Sequence, residues 1–114
     1  MKYEFKLVGV TKGNRQGYIN YINKEKDACL MYRLSPTKNE PNRVKVLAWV
    51  PGKKVVEIGF LPKNITDEIA PLMRKGFHIW TYGYKILTNG ERWGVKVEMQ
   101  PYKPRVYKKA CKSA

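Results

Sequence analysis

Apolar and polar positions alternate with the two-residue period of β-strands over much of the chain. Runs rich in Val, Ile, Leu and aromatic residues occupy 5–10, 28–34, 43–50 and 54–60, and each predicts a strand with alternate side chains in a common core. The third and fourth meet at Pro51-Gly52, which suits a turn. A longer run, 77–87, follows Gly76. As a regular strand it puts His78, Trp80, Tyr82 and Tyr84 on one face and Phe77, Ile79 and Thr81 on the other. Asn89-Gly90 then joins it to 92–100, supplying the positive φ of a tight hairpin.

Helix signals interrupt this pattern twice. After Pro62, Asn64 or Thr66 can cap, Asp67 and Glu68 suit the positive helix end, and Gly76 suits the stop. These predict a helix over 64–75 with Ile65, Ile69, Leu72 and Met73 as its buried stripe, against which Pro71 counts by removing a hydrogen bond. Asn14 can cap an earlier helix over 15–22 that turns Tyr18, Ile19 and Ile22 inward, although Gly17 weakens it. A polar loop, 23–27, follows. Six strands and two helices around one core predict a mainly β fold, a small barrel of the OB or SH3-like type spanning 1–100, followed by a basic tail, 101–114.

Composition narrows the picture. With 114 residues, 43% of them hydrophobic and 12% aromatic, one domain with a real core is expected and wholesale disorder is excluded. The 23 basic against 9 acidic residues leave a net charge of +14, more than solubility requires, and a polyanionic partner is the leading explanation over a merely basic surface. Lys103, Arg105, Lys108, Lys109 and Lys112 supply 5 of those 14 charges from a tail without a single acid and without expected fixed structure. No run approaches the roughly 20 apolar residues of a membrane helix, and the first residues lack a secretory apolar stretch, so a cytoplasmic protein is expected. Cys29 and Cys111 have neither CxxC spacing nor neighbouring histidines, and free thiols are expected rather than a disulfide or zinc site. Asn64-Ile65-Thr66 fits a glycosylation sequon, which a helix start explains better.

Catalytic chemistry is thinly represented. The single histidine, His78, lies in a strand-like run, and neither a Cys-His or Ser-His pair nor a Walker loop or dinucleotide fingerprint is present. The acids are scattered without metal-nuclease spacing. A non-enzymatic protein without cofactor or metal is expected. What remains is cations interleaved with aromatics: Lys12, Arg15, Lys63, Arg74, Lys75 and Lys85 can neutralise phosphates, while Trp80, Tyr82, Tyr84 and Trp93 offer flat faces for unpaired bases. Most aromatics in a small β domain belong to the core, so two or three of these are expected to face solvent.

Four ordered motifs resemble the HIRAN domain, named for the N-terminal module of helicase-like transcription factor and Rad5-type remodellers. They are Val8-Gly9-Val10-Thr11 followed by Arg15-Gln16, the segment 34–46, Ile58-Gly59-Phe60-Leu61-Pro62-Lys63 leading into Ile69-Ala70-Pro71-Leu72-Met73, and the hairpin at Asn89-Gly90. The third is the most specific, and together they span about 5–100. The resemblance implies an OB-like barrel that binds single-stranded DNA at 3′ ends in DNA repair or replication-fork processing. With no motor attached, the domain is expected either to deliver its binding activity to a separate protein, such as a helicase or nuclease, or to protect the end itself.

The family's end-binding pocket falls where this chain departs from the pattern. Asn42 takes the place of the family Asn, Glu40 that of an Asp which accepts a hydrogen bond from the terminal 3′-hydroxyl, and Asn39 that of a Tyr which contacts the last nucleotide. Glu40 keeps the carboxylate at longer reach, and Asn39 loses the stacking face. The resemblance also places Phe60 and Lys63 at the pocket mouth, Arg15 on a phosphate, and Tyr82 or Tyr84 near the bases. Each has a plainer reading: 39–42 as an ordinary surface turn, Phe60 as core, and Arg15 as a solvated residue at a helix start. A protein-interaction adaptor with a basic tail, and more weakly an RNA-binding accessory protein, stay open as alternatives.

Overall fold

The computed structural model describes residues 2–25, 28–50, 52 and 55–103. In chain order these form β1 (Tyr3–Lys6), α1 (Arg15–Glu25), β2 (Cys29–Leu34), β3 (Val44–Trp49), β4 (Val55–Phe60), α2 (Lys63–Arg74), β5 (His78–Thr88) and β6 (Trp93–Tyr102). The expected six strands and two helices are therefore present. They divide into two antiparallel three-stranded sheets, β1-β6-β5 and β2-β3-β4.

The expected barrel is not found closed among the described residues. At one corner the chain passes between sheets: the Leu7 amide donates to the Val95 carbonyl of β6 at 2.9 Å, and Val8 exchanges two 2.9 Å backbone bonds with Phe60 of β4. At the other, the edges β2 and β5 share only a side-chain bond of 2.8 Å between the Tyr32 hydroxyl and Thr81 Oγ1. A hydroxyl pair bridges the gap in place of a backbone ladder, and the sheets remain separate.

The first corner depends on Gly59. A Cβ there would lie 2.9 Å from the Val8 carbonyl oxygen and 3.1 Å from Val10 Cγ1, so only glycine lets the two backbones approach this closely. Beneath it the core collects Phe5 and Leu7, Ile19 and Ile22 of α1, Val44, Val46 and Ala48 of β3, Ile58 of β4, Ile65, Ile69 and Ala70 of α2, and Val95, Val97 and Met99 of β6.

Several boundaries move from their expected places. The first strand ends at Lys6 because the chain changes sheet and then turns at Gly9, where φ is +69°. Helix α1 continues through residues expected in the loop, and Gly17 does not end it. Helix α2 starts one residue early with Pro62 as its N-cap residue; neither Asn64 nor Thr66 caps it, and the Thr66 hydroxyl instead donates back to the Lys63 carbonyl at 3.0 Å. Pro71 sits inside α2, which still runs to Arg74 on the burial of Ile65, Ile69 and Ala70. Its end is a Schellman closure: Gly76, at φ +96°, donates to the Met73 carbonyl, and Phe77 donates to that of Leu72.

The largest correction concerns β5. Thr81 pairs with Met99 and Gly83 with Glu98, leaving Tyr82 as the extra residue of a bulge. One inserted residue reverses the alternation. His78, Trp80 and Tyr82 therefore face outward, and Tyr84 packs against the core on the other side. The Asn89-Gly90 hairpin forms as a four-residue loop between Thr88 and Trp93, with Gly90 at φ +95° and Asn89 Oδ1 accepting from the Glu91 and Arg92 amides. Cys29 is free and exposed. The expectations for Pro51, Cys111 and the tail beyond Lys103 lie outside the described residues. Among the described residues no helix is long and apolar enough to cross a membrane.

Two outcomes test this architecture. Gly59→Ala should destabilise the fold by about 1–3 kcal/mol in urea unfolding, because the new methyl meets backbone rather than a yielding side chain. Burial pushes the Tyr32 hydroxyl up to about 12, opposed by its bond to Thr81. An unfolded tyrosine ionises near 10, so between these values the unfolded chain binds fewer protons and stability falls by about 1.4 kcal/mol per pH unit. The contribution is complete below pH ~10 and lost as pH rises through ~12. Tyr32→Phe should flatten that decline in denaturation measured on either side of pH ~10.

Candidate nucleic-acid interface

The sheet-crossing corner opens onto a cleft of about 580 Å³. Its walls are the loop after Val8, the segment 39–43, the end of β4 and the start of α2. Five residues assigned by motif to the end-binding pocket line it together: Asn39, Glu40, Asn42, Phe60 and Lys63. Lys12, Arg43 and Asp67 complete its charged surface.

The 39–42 turn is built from its own backbone and then clamped to α2. The Thr37 amide donates to the Glu40 carbonyl, the Glu40 amide donates to Thr37 Oγ1, and the Arg43 amide returns to the Glu40 carbonyl. From the last turn of α2, Arg74 donates to Asn42 Oδ1 at 2.8 Å and to the Pro41 carbonyl at 2.6 Å, while Asn42 Nδ2 donates to Asp67 Oδ1 at 3.3 Å. The turn reading and the pocket reading are thus compatible. Backbone atoms make the turn, and the same turn presents side chains to the cleft.

The cleft floor is a cation–aromatic stack. The guanidinium groups of Arg15 and Arg43 lie 4.9 and 4.6 Å from the centroid of the Phe60 ring. Arg15 also donates to the Gly9 carbonyl and to Glu57 Oε1, both at 2.7 Å, with its side chain only 14% exposed. Arg43 donates to the Ser35 carbonyl and hydroxyl. Gln16 ties the same region to β6 through bonds to the Val10 and Trp93 carbonyls and from the Trp93 amide. Both arginines are thereby held by protein partners, and Phe60 is a half-buried support for them.

The eight motif-assigned residues thus separate by role. Glu40, Asn39 and Lys63 face the cleft with no side-chain hydrogen bond or ion pair among the described residues, as does Lys12. Asn42 and Arg74 are spent on holding the turn. Arg15 is held by the Gly9 carbonyl and Glu57 and is not among the residues lining the cleft. Tyr82 and Tyr84 are not among the residues lining the cleft: Tyr82 is exposed on the outer face of β5, and Tyr84 packs against the core. Sequence reasoning missed Asp67 as a cleft carboxylate. The signal available was its position four residues after Lys63, which puts both on one face of α2.

The surface is mixed rather than basic. Lys12 and Lys63 are available to phosphate oxygens, whereas Glu40 and Asp67 repel them. Such a pairing favours a group that carries phosphate on one side and a hydrogen-bond donor on the other. Among the described residues no group of three or more His, Cys, Asp or Glu is arranged to hold a metal. No known protein-family model, curated protein or solved structure matches the chain.

Supporting and ligand-facing residues are separable by experiment. Arg15→Ala should lower stability by about 2 kcal/mol, through the lost hydrogen bonds and the packing of its stem on Phe60. Lys63→Ala should stay within about 0.5 kcal/mol in the same denaturation series.

Proposed function

We propose that this protein is a non-catalytic module that binds single-stranded DNA, with the 3′ end of the strand in the cleft. One observation carries the reading. Glu40 and Lys63, from a loop and a helix 23 residues apart in the chain, line one cleft, where Arg74 clamps the turn that carries Glu40 onto the helix that carries Lys63. A carboxylate on a phosphate-binding surface repels every backbone oxygen except where a hydroxyl replaces one, so Glu40 marks the end of the strand. Lys63 and Lys12 neutralise the penultimate phosphate, assisted by the amides at the start of α2.

On this reading the chain is a relative of the HIRAN domain. The two sheets, joined through Val8 and Phe60 and meeting again at Tyr32 and Thr81, form a partly open barrel of the OB type. It acts in the cytoplasm in DNA repair or replication-fork processing, delivering bound ends to a separate helicase or nuclease. The adaptor reading has one observation in its favour, an apolar groove of about 760 Å³ between α1 and β4 lined by Tyr18, Tyr21, Val50 and Val56. The charge of +14 favours the polyanion.

A charge-assisted hydrogen bond contributes about 1.5–3 kcal/mol. The protein should therefore prefer an oligonucleotide ending in 3′-hydroxyl to one ending in 3′-phosphate by about one to two orders of magnitude in fluorescence anisotropy. Glu40→Gln should remove most of that preference and leave binding to internal single strand intact. Equal affinity of the unaltered protein for the two ends would reject the assignment.

A further inference from the structure

The outer face of the β1-β6-β5 sheet has an arrangement that the fold does not require. Lys6 of β1 pairs with Lys96 of β6, and Lys96 pairs with Lys85 of β5. Three lysines thus stand side by side across all three strands, and like charges directly opposite one another destabilise a sheet. Glu4 relieves only Lys96, at 2.8 Å. The next carboxylate, Glu98, is paired with Lys2 at 3.0 Å.

Farther along the same face aromatics join the charges, and the Lys2 ammonium lies 4.8 Å from the centroid of the Tyr82 ring. Trp80 is 58% exposed, Tyr82 52% and Tyr102 40%. His78 and Tyr102 are cross-strand partners with ring centroids 5.8 Å apart and planes at 75°. Trp80 lies opposite Gln100, whose side-chain oxygen accepts from the Tyr82 hydroxyl at 2.6 Å. The residue directly opposite the indole is therefore not aromatic. The bulge at Tyr82, which sends Tyr84 to the core side, also interrupts the free edge of β5, and this disfavours an added protein strand as the occupant.

We infer that this face is a second binding surface, for the interior of a single-stranded nucleic acid, with phosphates on the Lys6-Lys96-Lys85 row and unpaired bases on Trp80 and Tyr82. Gln100 lies four positions beyond Lys96 on β6, about 13 Å at the rise of a strand, so a few nucleotides reach both ends. The polyanion fits the charge, because the acid-free basic stretch from Lys103 follows Tyr102 directly in sequence. The surface needs no strand end, and in this it extends the cleft reading without depending on it.

A covalently closed single-stranded DNA circle tests it, since a circle offers nothing to Glu40. The circle should bind the unaltered protein and shift the Trp80 indole N–H resonance while leaving that of Trp93 in place. Trp80→Ala should weaken binding about 5- to 100-fold, the range that base–aromatic stacking covers. Lys85→Glu should weaken binding and reduce the log–log salt slope by about 0.7 for each phosphate it ceases to neutralise. Both variants should keep the 3′-hydroxyl preference of linear strands, so that failure here and failure at the cleft are distinguishable. A circle that does not bind, an unmoved Trp80 resonance, or variants that bind it as tightly as the parent would overturn the assignment.

Discussion

The candidate cleft depends on one close approach, that of the Val8 backbone to Gly59. Because no side chain intervenes, the chain can leave β6 at Leu7 and pair with Phe60 one residue later. That crossing joins the two sheets and directs the Gly9 carbonyl toward Arg15, which reaches both that oxygen and Glu57. With Arg15 fixed on one side and Arg43 held by Ser35 on the other, the Phe60 ring becomes a rigid floor. A methyl group at residue 59 would therefore disturb the cleft through the Val8 backbone, which lines it.

The elements were legible where a local signal was also the winning one. The hairpin at Asn89-Gly90, the Gly76 stop and the apolar stripe of α2 are examples, each needing only its own neighbours. Pro71 shows the limit of such signals: its lost hydrogen bond is outweighed by the burial of Ile65, Ile69 and Ala70, a tertiary effect. The bulge at Tyr82 was not legible, because strict alternation from His78 to Tyr84 is the pattern of a regular strand, and only the register against β6 reveals the extra residue. That single miss placed Tyr84 on the outer face instead of against the core.

At the cleft, residue types were legible and residue roles were not. Motif spacing brought Asn39, Glu40, Asn42, Phe60 and Lys63 to one place, yet Arg15, Asn42 and Arg74 are engaged by the protein itself. A guanidinium read from sequence looks equally suited to phosphate or carboxylate, and which it meets is decided by chain segments far away. Glu57, 42 residues from Arg15, and the Pro41 carbonyl, 33 residues from Arg74, are partners that no local pattern announces. The cations left available are the lysines, whose longer, more flexible stems are less often fixed by a planar fork of hydrogen bonds.

This division explains how a chain with a net charge of +14 can keep carboxylates in its candidate site. Attraction of a polyanion depends on summed charge and needs no particular geometry. On the proposed function it would come from lysines spread over the surface and from the acid-free stretch that begins at Lys103. Discrimination needs the opposite, a place where phosphate is rejected, and this is the part that the proposed function gives to Glu40 and Asp67. Their repulsion is tolerable because the clamp from Arg74 fixes the turn through Asn42 and the Pro41 carbonyl, leaving the Glu40 side chain outside the structural bonding. On the proposed function, affinity and selectivity would thus rest on different residues, and each could be altered with little consequence for the other.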